Sequence, residues 1–227
     1  MGKSRILQIN GAILTSKELE SELERAGAEY NVTPKSDIST YPIPRLIDNY
    51  MAIKETYNLL NEHVNLGISI HPAGEWILDN FYIIEETVKL IKQELTKKKY
   101  KNFVALNGGE FSGFARSYVL SAQIVNFSDN KIETDNLEKY LSAYQTKKAL
   151  NMDEIWNIGL FLQIALIENI RKICEKIYLS QIEKYKVESI IERLIENKEE
   201  KNLTGLKLLK KPRQYSNLRY PFVEYMS

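Results

Sequence analysis

Asp153-Glu-Ile-Trp-Asn-Ile-Gly-Leu-Phe-Leu-Gln-Ile-Ala-Leu-Ile-Glu-Asn-Ile-Arg171 is the stretch on which the fold turns. It is strongly apolar, and its polar residues recur at helical rather than alternating spacing, so it predicts a helix with much of its surface buried. The helical pattern continues past Arg171 as far as Asn197. Unbroken, about 45 residues at ~1.5 Å each would reach roughly 67 Å. A compact chain of this length has a radius of gyration near ~17 Å and a diameter of roughly 45 Å. Two outcomes are open: the helix breaks around Leu179 to Gln181, or its far end projects to meet something absent from this chain.

Upstream, Thr15 and Glu18 have capping-box spacing ahead of Leu19, Leu23 and Gly27, which predicts a first helix of about three turns. The apolar start from Ile6 to Leu14 predicts a short N-terminal strand, and Ala28 to Tyr41 reads as a loop. Pro44 opens a second helix, with Ile47, Tyr50, Met51, Tyr57, Leu60 and Val64 at helical spacing until Gly67. Pro72 opens a third, striped by Trp76, Ile77, Phe81, Ile84, Val88, Ile91 and Leu95, with Lys97, Lys98 and Lys99 at the end of the dipole that favours cations. A fourth helix is expected over about Gly113 to Phe127, ending in Ser128-Asp129-Asn130. A fifth, capped by Thr134 or Asp135, runs to about Lys148. The fold expected is all-α: a multi-helix bundle of about six helices with one long C-terminal helix and a short N-terminal strand. The helical domain would cover residues 1–200, and residues 201–227 form a basic C-terminal segment. Between Lys201 and Pro221 that segment holds Lys201, Lys207, Lys210, Lys211, Arg213 and Arg219 and no acidic residue.

Composition supports this class and excludes others. The chain has 227 residues, enough to bury a core without disulfides or metal. Lys and Arg number 31 against 30 Asp and Glu, a net charge of +1, so no basic excess points to nucleic acid as a partner. A single cysteine, Cys174, allows no internal disulfide and no zinc quartet, and points to a reducing compartment. With 10 glycines and 6 prolines, turns are too scarce for an all-β fold. The N-terminus lacks the apolar core of a secretory signal, and Ile6 stands where a myristoylation signal needs Ser or Thr. Ile155 to Ile167, interrupted by Asn157 and Gln163, falls short of the roughly 18 to 20 apolar residues that span a bilayer.

The candidate chemistry is sparse. Gly108 and Gly113 have the spacing of a phosphate-binding loop, but Phe114 and Ala115 stand where that chemistry needs Lys and Ser or Thr. The loop is therefore expected to turn tightly and cap the fourth helix. His71, Glu75 and Asp79 would share one face only if His71 were helical, and a residue before proline is biased away from that geometry. Glu75 and Asp79 also point the same way from adjacent turns, so they cannot flank a glycosidic bond. Glu168, Asn169 and Arg171 sit in an apolar run, where an unpaired charge would be too costly. The expected network pairs Arg171 with Glu75 or Asp79, and Asn80 with Asn169. Trp76, Trp156, Tyr140 and Tyr144 are expected in the core. No catalytic residue, metal site or cofactor site emerges.

Three blocks carry a resemblance: Pro72-Ala-Gly-Glu-Trp-Ile-Leu-Asp-Asn-Phe-Tyr-Ile-Ile-Glu85; Leu141-Ser-Ala-Tyr-Gln145 with Leu150 and Asp153-Glu-Ile-Trp156; and Ala165-Leu-Ile-Glu-Asn-Ile-Arg171. In that order, together with Gly113-Phe-Ala-Arg116 and Phe222-Val-Glu-Tyr225, the chain resembles the N-terminal region of cyclic β-1,2-glucan synthases, very long bacterial inner-membrane proteins. The similarity runs from about Ile9 through Tyr225. It implies glucose polymerisation from UDP-glucose on the cytoplasmic side by a membrane-embedded transferase domain, then cyclisation and chain-length control by glycosidase- and phosphorylase-like domains.

None of those catalytic parts is visible here. Asp129, Asp135 and Asp153 are isolated rather than clustered for a metal-bound sugar nucleotide, and Gln214-Tyr-Ser-Asn-Leu-Arg-Tyr220 has the wrong spacing for an acceptor motif. The resemblance therefore implies a non-catalytic accessory domain over residues 1–200, with 201–227 leading toward a missing transferase region. Its motif residues Glu75, Trp76, Asp79, Asn80, Arg116, Tyr144, Gln145, Glu154, Trp156, Glu168, Asn169 and Arg171 are expected to be structural or to form an interface. The expected partners are a transferase domain of the same or a neighbouring polypeptide, β-1,2-glucan, and an anionic membrane surface met by the basic segment at the inner face of the membrane. A free-standing β-glucan-binding module is favoured instead if β-1,2-glucan shifts the melting temperature and Trp76 or Trp156 is exposed in a groove. A small glycoside hydrolase is favoured if a cleft holds facing carboxylates from different helices.

Overall fold

Thr15 starts the first helix as its spacing predicts. The Thr15 N–H donates to the Glu18 carboxylate at 2.8 Å and the Glu18 N–H donates to Thr15 Oγ1 at 3.4 Å, closing a capping box ahead of α1 (Ser16–Glu29). This computed structural model describes residues 6–33 and 40–196, and the basic segment 201–227 lies outside the described residues. After α1 come β1 (Val32–Thr33), α2 (Ile43–Asn65), α3 (Pro72–Glu94), α4 (Lys97–Tyr100), β2 (Ala105–Leu106), α5 (Arg116–Phe127), α6 (Thr134–Gln145) and α7 (Met152–Glu196). The described residues thus form seven helices and one two-stranded antiparallel sheet, in which Val32 faces Leu106 and Thr33 faces Ala105. The fold is all-α with a long final helix.

Several local expectations give way to specific interactions. Ile6 to Leu14 is not a strand: its backbone is tied to α5 where the Leu14 N–H donates to Phe127 O at 2.9 Å, and Leu7, Ile9 and Leu14 pack on the core. Gly27 does not end α1. It lies inside the helix, where a Cβ would come within 2.6 Å of the Tyr144 carbonyl oxygen, so its role is to let α1 approach α6. The three lysines do not finish α3. Thr96 Oγ1 accepts the Lys99 N–H at 3.2 Å and starts α4 instead. Glu133, rather than Thr134 or Asp135, occupies the cap position of α6. The glycine loop turns tightly, with Gly113 N–H donating to Leu106 O at 2.8 Å, but α5 begins beyond it at Arg116 without a side-chain cap.

α7 does not break at Leu179 to Gln181; it is one helix of 45 residues. Gln181 is buried, and its Nε2 donates to the Ser69 carbonyl at 2.9 Å, so a polar residue that reads as a candidate break is held within the helix. No described helix is long and apolar enough to cross a membrane.

The chain divides into two compact units, one from residues 1–51 and 82–171 and the other from 52–81 and 172 onward. In the first, Leu19 and Leu23 of α1, Leu120 and Ile124 of α5, Tyr140 and Tyr144 of α6, and Ile158 and Leu162 of α7 form a continuous core. Beside it, Tyr100, Phe103, Tyr118 and Phe161 meet ring against ring at 5.2 to 6.2 Å. In the second unit, Ile53, Leu60, Ile77, Cys174, Ile177 and Val187 are buried, and Tyr57 stacks on Phe81 at 4.1 Å.

Candidate functional site

Four motif residues of the first unit, Arg116, Tyr144, Gln145 and Glu154, gather around a buried charge pair. Arg116 opens α5 and Glu154 lies in the first turn of α7; their side chains are 4% and 0% exposed. Arg116 Nε donates to Glu154 Oε1 at 2.9 Å, and its Nη2 donates to Glu154 Oε2 and, at 3.1 Å, to the Ala149 carbonyl. Glu154 is fixed from its own side as well. Asn151 Oδ1 accepts the Glu154 N–H and Glu154 Oε2 accepts the Asn151 N–H, both at 2.9 Å, so the carboxylate both caps α7 and neutralises the arginine.

Tyr144 closes the cluster, with its ring 5.8 Å from the Arg116 guanidinium carbon. Gln145 Oε1 accepts the Leu150 N–H at 3.4 Å and ties α6 to the turn before α7. Burial works against the charge of Arg116, but the hydrogen bonds and charge of Glu154 outweigh it and hold the guanidinium above its ordinary pKa. Burial pushes the Tyr144 phenol up, against the opposing pull of Arg116. The polar groups that join Arg116 and Glu154 are spent on one another, on the Ala149 carbonyl and on the Asn151 N–H, while the Tyr144 hydroxyl is buried without a hydrogen-bond partner.

Glu168 organises a second cluster in the same unit. Arg45 donates to it twice, at 2.9 and 2.6 Å, Asn49 Nδ2 donates at 2.6 Å and Arg171 Nη2 at 3.3 Å. Burial alone would raise the carboxyl pKa, yet the bonds from Arg45 and Asn49 and the two arginine charges bring it below the usual value. Arg171 thus meets the carboxylate one turn before it, and Asn169 Nδ2 donates to Asn130 Oδ1 at 2.7 Å. Asn80 donates to the Trp76 carbonyl on its own helix at 2.8 Å. Glu75 and Asp79 are exposed. The burial cost that motivated the pairing belongs to Arg171, and Glu168 meets it from the same helix.

The tryptophans overturn their expectation most clearly. Trp76 is 52% exposed and Trp156 is 72% exposed, whereas Tyr140 and Tyr144 are core residues as expected. Trp156 stands with Met152 and Ile155, also exposed, and with Gly159, whose Cβ position is open. Positions 152, 155, 156 and 159 share one helix face, so the first turns of α7 carry an apolar outward stripe directly opposite the buried Glu154. His71 precedes α3, where its Nδ1 accepts the Ala73 N–H at 3.1 Å. No group of three or more His, Cys, Asp or Glu among the described residues could hold a metal ion.

Sequence reasoning singled out Arg116 and Glu154 but could not pair them, and it missed Arg45, Asn49 and Asn151. Asn151 was recoverable, since Asn151-Met-Asp-Glu154 has capping-box spacing. Arg45 was not: it lies 123 residues from Glu168 and carries no local signal.

No family model matches this chain. Its sequence is 25% identical over 150 residues, 65% of the chain, to the cyclic beta-(1,2)-glucan synthase NdvB of Rhizobium meliloti (strain 1021), which supports a relationship between the two. The match covers 5% of that relative, so the chain spans a small fraction of its length.

Proposed function

We propose that this chain is a non-catalytic helical region related to cyclic β-1,2-glucan synthases, and that it docks on and supports the UDP-glucose-dependent transferase that makes the glucan. The observation that carries this reading is the two-faced motif Asp153-Glu-Ile-Trp156. Glu154 is fully buried in a pair with Arg116, while Trp156 is 72% exposed beside Ile155 and Met152. Internal packing accounts for the glutamate and not for the tryptophan. A large exposed apolar stripe on the helix face opposite a buried ion pair has the anatomy of an interface anchor. The partner is the transferase region of the same or a neighbouring polypeptide, at the cytoplasmic face of the membrane. There the basic segment after Lys201 would gain about 1 kcal/mol per cation from anionic lipid.

Two measurements test this. The purified chain incubated with UDP-glucose and magnesium is expected to release no UDP, and turnover would refute the non-catalytic assignment. Trp156→Ser is expected to leave the melting temperature unchanged and to abolish co-purification with the transferase region of a cyclic glucan synthase. Undiminished co-purification would remove the stripe from the interface.

A further inference from the structure

The loop Asn107-Gly-Gly-Glu-Phe111 lacks the Lys and Ser or Thr of a phosphate-binding loop, but it borders two adjoining hollows of about 290 and 250 Å³ in the first unit. Both are lined by Tyr30, Phe111, Glu29 and Glu110, and each sits near the lower end of the roughly 300 to 1,000 Å³ usual for small-ligand sites. The walls are fixed. Asn107 N–H donates to the Asn31 carbonyl at 2.8 Å, and Lys148 Nζ donates to the Tyr30 carbonyl. Gly108 and Gly109, at φ of +86° and +67°, hold the loop in left-handed backbone with open space where side chains would stand.

Gln123 points to what would fill the space. It lines the smaller hollow and is 5% exposed; its Nε2 donates to the Tyr30 hydroxyl at 2.7 Å, while its Oε1 is buried without a partner. A buried amide oxygen without a protein partner is costly, and a donor entering the hollow would satisfy it. If the amide is turned over, Tyr30 bonds the oxygen and the NH₂ is left. Only a group that both donates and accepts, such as a hydroxyl, serves either orientation.

The remaining lining narrows the class. Tyr30 and Phe111 meet edge to face with ring centres 6.1 Å apart, offering an apolar corner for C–H groups. Arg25 bonds Glu22 at 2.6 Å and Glu29 at 3.5 Å, so two carboxylates of the wall are already compensated. The one arginine of the lining is thus already spent on carboxylates, so it is a poor anchor for a phosphate or nucleotide. With Arg25 engaged, the class is set by the amide of Gln123, which asks for a hydroxyl, and by the ring corner, which asks for C–H groups.

We infer that these hollows form a binding site for a neutral, hydroxyl-rich ligand the size of one or two sugar rings. The site is independent of the docking stripe, since neither tryptophan lines it. Titration of the full ¹⁵N-labelled chain with glucose, with its β-1,2-linked disaccharide and with inorganic phosphate tests it. Saturable shifts are expected at the Gln123 side-chain amide and at the backbone of Gly108 and Gly109 with a sugar, and none with phosphate. Phe111→Ala, a change at a half-buried loop residue, should weaken sugar binding several-fold, up to about tenfold, without lowering the melting temperature. Gln123→Leu should lose binding. Three outcomes would overturn the inference: no saturable shift at about 50 mM sugar, far above the Kd of even a weak millimolar site; a response to phosphate instead; or unchanged affinity in Phe111→Ala.

Discussion

At the scale of single residues the Arg116–Glu154 pair has the sharpest energetic consequence. Because Glu154 is 0% exposed, Arg116→Ala strands a buried carboxylate and should cost about 3 to 5 kcal/mol. The double change Arg116→Met with Glu154→Leu removes both charges and should recover most of that loss in urea unfolding. If the double variant is as unstable as the single one, the loss comes from packing rather than charge. His63 sets a pH dependence in the second unit. Its ring lies 5.5 Å from Tyr185, its Nδ1 is buried without a partner, and burial lowers its pKa below 6.5 against the opposing charges of Glu62 and Glu188. A folded pKa below the unfolded one means the unfolded chain takes up the proton first. The stability His63 protects is therefore full above 6.5 and declines as pH falls below it. Thermal unfolding across that range should show the decline, and His63→Phe should flatten it. Neither feature could be read from sequence. Arg116 and Glu154 are 38 positions apart, and nothing in the pattern separates a buried histidine from an exposed one.

At the scale of elements, the helix start at Thr15 was legible because a side chain makes the cap itself, but the side-chain caps at Thr96 and Asn151 were passed over, and α5 begins with no side-chain cap to read. Glycines were read less well, because a glycine that ends a helix and one that admits a neighbour look alike in sequence. Gly27 and Gly159 separate the two cases. Gly27→Ala would push a methyl to within 2.6 Å of a backbone carbonyl and should destabilise the chain by about 1 to 3 kcal/mol. Gly159→Ala meets nothing within 4 Å in the interior of α7 and should stabilise by about 0.4 to 1 kcal/mol. Calorimetry of the two variants should therefore give melting temperatures displaced in opposite directions. The continuity of α7 had a similar history. Its length invited a break, and the hydrogen bond from Gln181 to Ser69 that secures the suspected point joins residues 112 apart in the chain.

For the whole molecule, the all-α class and the long last helix followed from the hydrophobic pattern, whereas the inward and outward faces of that helix did not. Trp156 was placed in the core because it sits among Ile and Leu, and on an apolar helix hydropathy alone does not say which apolar residue faces out. The exposed stripe has a consequence for the isolated chain because the net charge is only +1 at pH 7. Repulsion between copies is then too weak to keep apolar surfaces apart. Met152 at 56%, Ile155 at 38% and Trp156 at 72% exposure are therefore expected to drive reversible self-association when no partner is present. Light scattering at pH 7 should give a mean mass that rises above 26.4 kDa with concentration. Met152→Ser with Trp156→Ser should hold it at the single-chain value without altering the melting temperature, because neither side chain supports the core. Added salt should strengthen the association rather than dissolve it, since apolar contact and not ion pairing would hold the copies together. A mass that falls with salt, or one that the double variant leaves unchanged, would assign the association to charged surface and withdraw the stripe from the docking role.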